Sequence, residues 1–144
     1  KQFEVARDTY RELLKHHPEN KEAHYTIGVI NWSITFPRDM EVRASLGMAP
    51  EDPGPIKDEE ARAELAVEHL PLIEEGLEAL NSAIEIDPEY DDAMAYVNLL
   101  YRQRADIAES SEEYEKYNMI ADEWVQKSLD TKKLKADAAI QEFQ

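Results

Sequence analysis

Apolar residues recur at steps of three and four along most of this chain, and proline interrupts the rhythm. Phe3, Ala6, Tyr10, Leu13 and Leu14 share one face of a helix predicted over 2–16. His16, His17 and Pro18 end it, and Asn20 caps a second helix over 21–35, with Ala23, Ile27, Ile30 and Ile34 inward. Pro37 is expected to close that helix, because the residue before a proline avoids the helical region. Residues 38–46 have the pattern for two further turns, and 48–56 read as extended and turn-rich. So long a segment is expected either to pack through Met40, Val42, Leu46, Met48 and Ile56 or to be functional.

From Asp58, a good N-cap, helical spacing continues to about Ile86 through Leu65, Leu70, Ile73, Leu77, Leu80 and Ile84. Pro71 lies inside this stretch and predicts a kink near 67–71, or two abutting helices. A helix over 90–107 carries Met94, Val97, Leu100, Tyr101 and Ile107. Ser110 and Glu113 form a capping box for the last helix, with Tyr114, Tyr117, Ala121, Trp124, Val125 and Leu129 inward. Beyond about 133 large apolar residues thin out, predicting a frayed or projecting end. With four glycines and no alternating β-branched run, the chain reads as all-α.

Part of the pattern is written twice. Ala6, Tyr10, Leu13 and Pro18 match Gly76, Leu80, Ala83 and Pro88 at a constant offset, and the match continues through Glu22/Asp92, Ala23/Ala93 and Ile27/Val97. These residues resemble the tetratricopeptide repeat, a pair of antiparallel helices about 34 residues long. Ala6, Tyr10, Leu13 and Pro18 look like a second helix whose partner is expected before Lys1. Ala23, Ile27 and Gly28 look like a first helix, with Trp32 one place after the family's tyrosine. Its mate returns only at Gly76, Leu80, Ala83 and Pro88. Ala93, Met94, Val97 and Tyr101 then begin a third unit, answered late by Ala121, Val125 and Ser128.

The resemblance implies one tetratricopeptide-like superhelical domain over 1–144. Its expected parts are a half repeat (1–19), an expanded repeat (20–88) with a proline-rich insertion at 36–57, a third repeat (89–132) and a tail (133–144). It also implies a non-catalytic scaffold that binds a protein or peptide on the concave face of the first helices. Mapped there, the groove consists of Tyr25, Val29, Trp32, Tyr96, Leu99 and Arg102. Tyr25, Val29, Asp92 and Tyr96 occupy places where family members that clamp a C-terminal carboxylate carry Lys, Asn and Arg, so that mode is not expected. The alternative is a structural module that self-assembles by stacking through its terminal repeat. The stretch Pro50–Ile56 is similar to one in uncharacterised bacterial members, often predicted to be exported; an export signal removed before Lys1 and a cytoplasmic location both fit the sequence.

Charge narrows the partner. A formal net charge of −16 disfavours nucleic acid and anionic membranes, and between Glu51 and Asp92 only Lys57 and Arg62 oppose fifteen acidic residues. The expected partner is neutral or basic. No apolar stretch approaches the roughly 20 residues of a membrane span. Without cysteine there is no disulfide framework, thiolate zinc site or thiol nucleophile. His16, His17 and His24 with Glu19 and Glu22 do not converge as a closed zinc site requires, and the acids at 87–92 lack calcium-loop spacing. No phosphate loop or hydrolase motif is found, so neither enzyme chemistry, metal nor cofactor is expected.

Overall fold

A computed structural model describes residues 2–144 as five helices: α1 (Gln2–His16), α2 (Lys21–Ser45), α3 (Glu59–Ile86), α4 (Asp91–Asp106) and α5 (Ser111–Glu142). The expected caps form. Asn20, Asp58 and Ser110 each accept from the backbone amide three residues on, at 3.0, 2.9 and 3.1 Å, satisfying donors that a helix start leaves free. Glu113 returns the favour by accepting from the amide of Glu109 at 3.1 Å.

The expected end at Pro37 does not occur, and at Pro71 the alternative of two abutting helices does not. α2 passes through Pro37, so the predicted turns at 38–46 are its continuation rather than a separate piece. α3 likewise runs through Pro71 as one helix. Both prolines are exposed, and Val67, whose carbonyl Pro71 leaves unpaired, is also exposed, so water can take up that bond. Packing beyond each proline offsets the loss. Asp39 and Arg43 are buried past Pro37, and Ile73, Gly76, Ala79 and Leu80 are buried past Pro71.

Helices α2 and α3 form an antiparallel hairpin, tied by Lys21–Asp87 at one end and by Asn31 to Leu72 O and Glu75 in the middle. Helices α4 and α5 form a second one, tied by Arg102–Asp122 and by Ser128 to Asp91 O. Gly28 and Gly76 let the helices meet. A Cβ on Gly28 would fall inside the Leu80 side chain, and one on Gly76 would stand 2.6 Å from Leu100 Cδ1. Leu80, Ala83, Ala93, Val97 and Leu100 fill the resulting core.

A second core lies at the far end of the long hairpin, where Ile56, Leu65, Ile73 and Ile107 are enclosed. The connection 46–58 is packed there, as expected for Met48 and Ile56, whereas Leu46 is exposed. α1 lies against α2 and reaches α3 through Arg11, which donates to both carboxylate oxygens of Glu75 at 2.6 and 2.8 Å. Residues 132–142 of α5 stay helical and exposed, the projecting end of the two forms expected. No helix of the described residues is long and apolar enough to cross a membrane.

Candidate functional site

Helices α2 and α4 run side by side in the same direction, since Tyr25 meets Tyr90, Trp32 meets Tyr96 and Arg43 meets Asp106. The seam between them has two chemically different ends.

At the N-terminal end the pairing is aromatic. Tyr90 stacks on Tyr25 with ring centroids 5.1 Å apart, and Tyr25 meets Tyr96 edge-on at 5.7 Å. Tyr96 meets Trp32 edge-on at 5.8 Å, and Trp32 stacks on Phe36 at 4.8 Å. The result is an unbroken ladder of five rings. Four are half-buried and Phe36 is exposed, so each keeps surface to offer. Offset stacks and edge contacts are the favoured geometries of such quadrupoles, and Tyr25, Trp32, Tyr90 and Tyr96 also pack against the core of Leu80, Val97 and Leu100.

Three of the six groove residues expected from sequence, Tyr25, Trp32 and Tyr96, thus touch one another. Val29 lies on α2 between the first two, and Leu99 one turn beyond Tyr96; both are half-buried. Arg102 has a structural engagement. Its guanidinium donates to Asn98 at 3.1 Å, Asn118 Oδ1 at 3.2 Å and Asp122 at 2.6 Å, clamping α4 to α5. Tyr90, at the start of the helix expected over 90–107, and Phe36, at the head of the expected 36–57 insertion, also belong to the ladder.

Carboxylates surround the outer end of the ladder. Burial pushes the Tyr90 phenol up to about 12, and Glu22, Tyr25 and Asp92 add to the effect. Burial also raises Tyr25, helped by Tyr96 and Asp92. Glu22 and Asp92 are exposed and form no ion pair among the described residues, and neither phenol hydroxyl makes a hydrogen bond there. Lys21 is different: it pairs with Asp87 at 2.7 Å and lies 5.3 Å from the centre of the Tyr90 ring.

At the other end the seam is ionic and closed. Arg43, 2% exposed, donates to Asp106 Oδ1 at 3.3 Å, Ala49 O at 3.2 Å and Asp52 O at 2.5 Å. The Ile56 amide donates to Asp106 O at 3.0 Å, so the 46–58 connection folds over this end of α4. Asp39 is buried beside the cluster with no well-formed hydrogen bond to either carboxylate oxygen. Burial and the neighbouring Asp106 raise it to about 9, with Arg43 opposing. Gln103 is buried here as well. A constant spacing of about 64 residues between facing positions of α2 and α4 is the signal that finds both clusters, but it requires knowing that those helices are parallel neighbours.

The histidines do not gather. His16 and His17 are exposed, and His24 is bonded to Pro18 O at 2.8 Å. No three His, Asp, Glu or Cys side chains among the described residues are grouped as a metal site would need. Comparison with protein-family models, curated proteins and solved structures finds no match to this chain.

Proposed function

We propose that the chain is a non-catalytic, tetratricopeptide-like scaffold that binds a protein or peptide segment along the α2–α4 face. The observation that supports this reading is the ladder itself. Five rings from two helices form one connected surface, kept partly open, where a globular protein without such a partner has no need to display it. Rigid aromatic rings bury much area for little lost conformational freedom, which is why they dominate interface energetics. The repeat reading is supported by Gly28 and Gly76, which stand at small-residue places of the family pattern and at close helix contacts.

The test uses a random-peptide display selection on the whole chain, followed by fluorescence or calorimetric titration of the peptides recovered. Trp32→Ala and Tyr96→Ala are each expected to weaken binding tenfold or more. Affinity indifferent to both substitutions removes this face as the site.

A second reading, self-assembly, is favoured by one observation. α1 carries an open depression of about 700 Å³ lined by Val5, Asp8, Thr9, Glu12, Leu13, His16 and His17. A chain that stays monomeric by light scattering at high concentration counts against it.

A further inference from the structure

The outer end of the aromatic ladder gathers oxygen atoms without partners. Glu22 and Asp92 stand in the first turns of α2 and α4, the two helix starts that the stacked Tyr25–Tyr90 pair brings together, and both phenol hydroxyls are free of hydrogen bonds among the described residues. We infer that this end seats the cationic side chain of an arginine or lysine from a bound peptide, while Tyr96, Trp32 and Phe36 seat an apolar side chain beside it. The inference rests on the peptide-binding reading above and specifies its partner.

Charge decides the sign. The N-termini of α2 and α4 contribute roughly half a positive charge each. Against them stand the two full charges of Glu22 and Asp92, while Lys21 is already neutralised by Asp87 and Lys135 by Asp91. The site therefore remains negative. A guanidinium presents five donors in one plane and can bond carboxylate and phenol oxygens together, while its flat face suits an aromatic ring. These rings already accept such a neighbour, since Lys21 lies over Tyr90. The apolar half follows from the same ladder: Trp32 and Phe36 present ring surface with no ion pair or hydrogen bond to defend it. Ring-to-ring steps of 4.8–5.8 Å give a platform for no more than roughly six residues of extended chain.

The experiment titrates the whole chain, carrying Trp124→Phe so that Trp32 alone reports, with three synthetic octapeptides. One alternates arginine with phenylalanine, the second replaces arginine by glutamate, and the third replaces phenylalanine by serine. The arginine–phenylalanine peptide is expected to bind at least tenfold tighter than either twin at moderate salt. Glu22→Gln with Asp92→Asn should cut the preference for arginine over glutamate several-fold. Glu115→Gln with Glu123→Gln, equal in charge but on exposed positions of α5, should preserve it. Equal binding of arginine and glutamate peptides, or equal loss in both double variants, overturns the cationic seat but leaves the peptide face standing. Failure of all three peptides and of every peptide selected by display overturns the face itself.

Discussion

The two ends of the α2–α4 seam are built on the same geometry and have opposite accessibility. At one end, rings from both helices touch and remain half open to solvent. At the other, Arg43, Asp39 and Gln103 are buried, and the 46–58 connection bonds to Arg43 and to Asp106 O. Aromatic rings can satisfy each other and still be exposed, because an exposed ring edge loses little. A guanidinium with buried carboxyls has no such freedom, since an unpaired buried charge is costly. The proline-rich connection therefore belongs to the closed end as its cover. It leaves the open end available for a partner.

The comparison breaks most readily at Arg43. Arg43→Met leaves Asp106 and two buried carbonyls without their donor, and is expected to cost about 3–5 kcal/mol in denaturant unfolding. Hydrogen exchange should accelerate over 46–58, while Trp32 emission of the folded state stays unchanged. A shift in that emission would show that the two ends are one unit. Asp39→Asn should act in the opposite direction, stabilising the fold at pH 8. Because the folded chain holds this proton above its unfolded value of 3.8, the group's contribution is full below about pH 4. It declines as pH rises toward 9, and the variant's pH profile should be flatter across that window. At the open end, Trp32→Ala should cost only about 1–2 kcal/mol, less than truncating a fully buried ring, with no change in the pH profile. The smallest effect is expected for Glu22→Gln, within about 0.5 kcal/mol by thermal unfolding, as for an exposed side chain without a partner.

Much of the fold was legible in the sequence because helical spacing and caps are local. Asn20, Asp58 and Ser110 announced three helix starts, and the inward stripes of α2, α3 and α4 agree with the buried residues. Pro37 misled for a reason the local pattern does not contain. Pro37 and Pro71 lie on solvent-facing turns of helices stabilised by packing on both sides of them. For the candidate site, Tyr25, Trp32 and Tyr96 were reachable through the repeat pattern. Tyr90 and Phe36 sit at positions that pattern does not map. Arg102 resembled a groove residue until its partners on α5 were known, and the Asp39–Asp106 pair was invisible because nothing in either helix alone marks a buried acid.

The parallel course of α2 and α4 also dictates when the proposed binding face can exist. The ring contacts and the ion pair across the seam join residues 63 to 71 positions apart in the chain, with the whole of α3 between them. Bringing such distant residues together costs loop-closure entropy that only a prior hairpin can reduce, by folding the intervening chain into a short bridge. The ladder should therefore assemble after α2 and α3 have paired, and Trp32 emission should lag helix formation during refolding. A chain that has made its helices but not this seam would have its secondary structure in place and no surface with which to bind.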